Sequence, residues 1–98
     1  MAEDYSWDGD WSGIESEEER ARLEAELSRE CCPGHVLFGR KGTAVGRRWK
    51  RDDVLFKLAD GRFAQVHLTW YVESSPDWPN GEIYATFEDW KAVPPEDR

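Results

Sequence analysis

Asp52-Asp-Val-Leu-Phe-Lys-Leu-Ala-Asp-Gly-Arg-Phe-Ala-Gln-Val-His-Leu-Thr-Trp-Tyr71 decides the fold. Two runs rich in Val, Leu, Phe, Trp and Tyr flank Ala59-Asp60-Gly61, the composition of a β-hairpin. A two-residue Asp-Gly turn would place Val54, Phe56 and Leu58 beside Phe63, Gln65, His67 and Thr69, the more polar side of the second strand. A three-residue Ala-Asp-Gly loop, with Gly61 left-handed in a G1-type bulge, instead gathers Val54, Phe56 and Leu58 with Ala64, Val66, Leu68 and Trp70. One residue of slip exchanges whole faces, so burial selects the three-residue loop.

The opposite face then carries Leu55, Lys57, Phe63, Gln65, His67, Thr69 and Tyr71, with Asp53 opposite His67. This half-apolar face has two readings. Either a short helix or the N-terminal segment covers Leu55 and Phe63, or the exposed aromatics form a ligand or partner surface.

Size and charge set the outer limits. Ninety-eight residues make one domain at most, with a small core. No run reaches the roughly 18 apolar residues of a membrane span. The acidic N-terminus lacks an apolar segment, so no secretory signal is expected. Cys31 and Cys32 are adjacent and cannot staple distant segments, which suits a reducing, cytoplasmic setting. The net charge of −8 is uneven: residues 1–30 hold 11 acids and 3 bases, 31–60 hold 3 and 7, and 61–98 hold 7 and 3. An acidic chain favours basic partners over nucleic acid or anionic membrane.

Outward from the hairpin, residues 1–13 mix Asp, Gly and Ser with Tyr5, Trp7 and Trp11 and read as an acidic, flexible tail. Its tryptophans either insert into a partner's basic groove or fold back on the domain. Residues 14–30 turn helical. Ser16 and Glu19 have capping-box form, Glu17 to Glu19 suit the positive helix end, and Leu23 and Leu27 make a narrow apolar stripe. Arg20–Glu24, Glu18–Arg22 and Arg22–Glu26 are candidate i, i+4 pairs. Cys31-Cys32-Pro33-Gly34-His35 breaks the helix. With only distant His67 to add, it falls short of a zinc set, and neither cofactor nor metal is implied. Residues 35–39 read as a short strand. Thr43 to Lys50 reads as another, with a bulge or a close backbone approach at Gly46. After Tyr71 comes a turn-rich loop, then a strand over 82–86 and a short helix over 87–92 capped by Thr86, with Phe87 and Trp90 on one side.

The expected architecture is α+β: an N-terminal helix on a small twisted antiparallel sheet of three to five strands, with a short C-terminal helix. The domain spans 14–93, and 94–98 fray.

The pattern His35-x-Leu37-x-Gly39, then Asp53-Val-Leu-Phe-x-Leu-x-Asp60-Gly-Arg-x-Ala64-x-Val66-His-Leu-Thr-Trp70, then Trp78-Pro and Glu82-x-Tyr84-x-x-Phe87-Glu-x-Trp90, resembles a family of short, uncharacterised bacterial proteins. The resemblance covers about residues 35–90 and is most specific at Val66-His-Leu-Thr-Trp70. Pro often follows the histidine in that family, where this chain has Val36. The resemblance implies a bacterial, cytoplasmic, single-domain protein and leaves its function open.

Three functions compete. The first is a non-enzymatic, acidic interaction protein that binds or inhibits a basic, nucleic-acid-handling partner through Tyr5, Trp7, Trp11, Phe63, His67 and Tyr71. The second is a nucleic-acid module using Arg40, Lys41, Arg47, Arg48, Trp49, Lys50 and Arg51, charge for phosphates and a ring for a base. The third is an enzyme with His67 as base, Asp53 as its orienter and Thr69 or Tyr71 nearby. With no catalytic set assembled by the sequence, the first is the expectation.

Overall fold

A computed structural model describes residues 5, 7, 9–35, 37–48, 52–70 and 80–94. Among them the order is β1 (Trp11–Gly13), α1 (Glu17–Glu30), β2 (Gly42–Arg48), β3 (Asp53–Leu58), β4 (Phe63–His67), β5 (Asn80–Tyr84) and α2 (Phe87–Lys91). The strands form one antiparallel meander, β1-β2-β3-β4-β5. The fold is α+β, as the patterning predicts.

The central hairpin has the three-residue loop. Val54 pairs with Val66, Phe56 with Ala64 and Asp53 with His67. Gly61 takes φ +91°, a backbone state open to glycine without strain. The Gly61 N–H donates to Leu58 O (3.0 Å), and Leu58 N–H to Arg62 O (2.7 Å). Asp60 accepts from both the backbone N–H (3.0 Å) and Nε (2.8 Å) of Arg62, which fastens the bend.

Alternation along the strands gives the sheet two apolar faces, each with its own cover. On the first, Ala44, Val54, Phe56, Leu58, Ala64, Val66 and Leu68 meet Leu23 and Leu27 of α1, with Ile14, Cys31 and Leu37 filling the margins. On the second, Leu55 and Phe63 lie beneath Trp11 and the α2 residue Trp90, with Tyr5, Trp7, Val45, Tyr84 and Phe87 around them. The half-apolar outer face is therefore covered by a short helix and the N-terminal segment together.

The helix α1 starts at the N-cap Ser16, whose Oγ accepts from Glu19 N–H (3.2 Å). The ion pairs within the helix are Glu17–Arg20 and Glu26–Arg29, both i, i+3, rather than the i, i+4 set of the sequence. Arg20 and Glu24 instead reach β2. Arg20 Nε donates to Ala44 O (3.2 Å), and Ala44 N–H donates to Glu24 (3.1 Å). These side chains supply partners to a backbone edge that the three-residue β1 ends too soon to cover.

Several boundaries differ from expectation. Residues 11–13, placed in a flexible tail by their composition, form β1, because Trp11 finds an apolar face that composition alone does not reveal. Residue 35 and residues 37–39 form a bend and a turn, not a strand: His35 Nδ1 accepts from Leu37 N–H (3.0 Å), and Gly34 and Gly39 are left-handed. The last strand lies two residues earlier, at Asn80–Tyr84. Trp70 leaves the sheet instead of joining the core.

The bulge expected near Gly46 exists, with the register shifting between Ala44 and Gly46. The close approach exists as well. Gly46 pairs with Gly13 across β1–β2, and the Trp7 ring lies on that pair, so that a Cβ on Gly46 would come within 2.3 Å of it.

Candidate interaction site

The aromatic residues assigned to partner binding are largely consumed by the fold. Trp11 is 4 % exposed and Phe63 5 %. Trp11 packs edge-on against Trp90 with ring centroids 4.9 Å apart, and Trp7 stacks on Trp11 at 6.4 Å. Tyr5 meets Phe87 at 4.6 Å and Phe63 at 5.8 Å. Tyr5, Trp7, Trp11 and Phe63 are thus a second core, drawn together because a sheet with two apolar faces must cover both. Beside them a shallow cleft of about 400 Å³ is lined by Tyr5, Lys57, Phe63, Thr86, Phe87 and Glu88. Tyr71 lies outside the described residues.

His67 stays at the surface. Its side chain is 51 % exposed, and Nδ1 lies 2.5 Å from Oδ1 of the buried Asp53. Gln65 Nε2 donates to the other Asp53 oxygen (3.5 Å), and Gln65 Oε1 accepts from Trp90 Nε1 (2.8 Å). The carboxylate fixes the imidazole's orientation, and the chain of contacts ties it to α2. Such a dyad has the first two members of a general-base site. Neither the 400 Å³ cleft nor a smaller one of about 310 Å³ beside Arg40, Lys41 and Asp60 borders it.

The basic segment is met by carboxylates. Arg47 faces Glu19 at 3.8 Å, Arg48 faces Asp10 at 4.0 Å and Arg40 faces Asp60 at 3.7 Å. Lys41 is exposed. Trp49, Lys50 and Arg51 lie outside the described residues. The acidic helix, the N-terminal segment and the hairpin loop thus supply counter-charges to Arg47, Arg48 and Arg40 respectively, which removes much of the field a phosphate backbone would need.

Sequence reasoning missed the corner after β4. Trp70 has φ +63°, the only non-glycine described residue in the left-handed region, and the residue is 37 % exposed. A bulky residue there costs about 1–2 kcal/mol and needs external support. Glu30, at the end of α1 and 0 % exposed, gives it. The carboxyl accepts from Thr69 N–H (2.7 Å), Thr69 Oγ–H (3.0 Å) and Trp70 N–H (2.8 Å). Arg29 Nη2 donates to Trp70 O (3.3 Å). A buried glutamate on an apolar stripe shows in the sequence only as one more acid in a run of acids.

Burial, and next the neighbouring Glu26 carboxyl, push Glu30 above the ordinary glutamate range against the pull of the Thr69 and Trp70 donors. Burial raises Glu26 too, but hydrogen bonds from Arg29 and Glu30 outweigh it and hold Glu26 low. Desolvation, followed by the nearby Glu30 and Cys32, lifts the Cys31 thiol to about 11. It is a buried, protonated sulfur and a poor nucleophile at neutral pH.

Against protein-family models, curated proteins and solved structures, the chain finds no match. Among the described residues, no helix is long and apolar enough to cross a membrane.

Proposed function

We propose that this chain is a small, non-enzymatic interaction protein that binds a basic, nucleic-acid-handling partner in the cytoplasm and uses Trp70 as its anchor. The observation that carries this reading is the strained, exposed Trp70, fixed by the buried Glu30. An aromatic ring held in one geometry before contact loses little freedom on binding, and such rings dominate interface energies. The anchors inferred from sequence move accordingly, from the buried Trp11 and Phe63 and the half-buried Tyr5 and Trp7 to Trp70, with His67 exposed near the same end of β4. The net charge of −8 supplies attraction for a basic surface, and internal pairing of the described arginines favours this reading over a nucleic-acid module.

Capture from native lysate on the immobilised chain, run beside Trp70→Ala, tests the reading. A basic protein should be retained at low salt and released as salt rises. Trp70→Ala should bind it about 30-fold more weakly, the loss typical of a hot-spot aromatic. Retention of no basic protein, or equal retention by the variant, would overturn it.

A further inference from the structure

The support beneath Trp70 contains more titratable chemistry than a static brace requires. Glu30 uses one oxygen for Thr69 N–H and Oγ–H and the other for Trp70 N–H. One helical turn earlier, at i−4 on the same helix face, the buried Glu26 carboxyl is Glu30's neighbour and acts on its protonation. Arg29 grips Glu26 with two bonds, Nε to Oε1 (2.9 Å) and Nη2 to Oε2 (2.7 Å), and the same Nη2 reaches the Trp70 carbonyl. Both peptide polar groups of Trp70 are thus held by one cluster of two carboxyls and a guanidinium.

We propose that Glu30 is a proton-operated latch on Trp70: ionised, it holds the corner; protonated, it donates to Glu26 and loosens the Thr69–Trp70 amides. This rests on the reading of Trp70 as the partner anchor, and makes that anchor responsive to pH.

The chemistry follows from lone pairs. An ionised carboxylate has acceptor sites for all three donors, and each bond is charge-assisted. Adding one proton from solvent converts an acceptor oxygen into a donor, and the neighbouring Glu26 carboxylate is its natural acceptor. The remaining bonds to Thr69 and Trp70 become neutral and weaker, while the left-handed strain at Trp70 is unchanged. The balance that kept the ring in place shifts toward release.

The groups around the pair decide where the proton goes. On α1, Arg29 stabilises ionised Glu26, so Glu26 remains the acceptor. Burial and that ionised neighbour make Glu30 the group that protonates, at milder acidity than an ordinary glutamate. Cys31, next in the chain, stays a neutral thiol across the range. From the β4 side the described contacts are the Thr69 hydroxyl and the two amides, none of which titrates.

Backbone amide NMR of the full chain, titrated from neutral into the acid range, reads the latch directly. The Thr69 and Trp70 amide protons should move upfield together, with a shared midpoint above the ordinary glutamate value. Glu30→Gln should abolish that titration. Glu26→Gln, which keeps the latch but removes the charge that raises it, should lower the midpoint and serves if Glu30→Gln does not fold. Amides that stay flat in the wild type, that titrate unchanged in Glu30→Gln, or whose midpoint ignores Glu26→Gln would overturn the proposal. The titration needs no partner. A flat result leaves Trp70-dependent capture standing, and failed capture leaves the titration standing.

Discussion

At Glu30 a single carboxyl does what no neighbouring residue can replace. Glu30→Ala would leave the Thr69 and Trp70 amides without their acceptor in a partly buried corner, and should cost about 1–3 kcal/mol in urea denaturation at neutral pH. The pH dependence has a definite sign. Glu30's midpoint in the folded chain lies above that in the unfolded chain, so the proton-linked part of its contribution is fully present below the unfolded value and is lost as pH rises through the folded one, while the hydrogen bonds to Thr69 and Trp70 persist. Glu26 is held low, so its contribution is present above the unfolded value and is lost as pH falls through the folded one. Denaturation midpoints measured across that window should therefore fall as pH rises and Glu30 ionises, and Glu30→Gln should flatten that fall. Gly46 poses a steric question at the same scale. A methyl there meets the Trp7 ring at 2.3 Å, so Gly46→Ala should cost about 1–3 kcal/mol. In a Trp7→Ala background the penalty should shrink, and a double-mutant cycle measures the difference.

Among the elements, α1 contributes both packing and polar contacts to the sheet. Leu23 and Leu27 are buried against the first face, and Leu23→Ala should cost about 2–5 kcal/mol, since its neighbours belong to a sheet that cannot collapse into the void. Ser16→Ala removes the acceptor for Glu19 N–H and should cost about 1 kcal/mol, read by the same denaturation. The Ser16 N-cap, the leucine spacing and the hairpin loop are short-range features, so the sequence displays them. The reach of Arg20 and Glu24 to Ala44 is not short-range. In sequence these two look like an i, i+4 pair with each other, and only the early end of β1 gives them a better use.

At the scale of the molecule, the two-sided sheet decides what the N-terminal segment is for. A dispensable tail would be removable at little cost. Here residues 11–13 extend the sheet, and Tyr5, Trp7 and Trp11 complete a core with Trp90 and Phe87. Removing residues 1–13 should lower the urea midpoint sharply and increase binding of a hydrophobic dye, whereas an intact chain should bind little. Charge acts at this scale too. With Arg40, Arg47 and Arg48 facing carboxylates, the chain should give no shift of single-stranded or duplex probes in a gel at low salt.

The chain's local chemistry settled the hairpin register, the helix caps, the bulge at Gly46 and the division of β3 and β4 into two faces, because each depends on residues a few positions apart. Contact between distant segments settled the rest. Whether Trp7 and Trp11 are covered depends on a face built some forty to eighty residues later, and the Glu30–Trp70 corner joins residues 40 apart in the chain. Periodicity and composition carry no record of such pairings, since the same aromatic in an acidic segment is an anchor when nothing covers it and core when a sheet arrives beneath it.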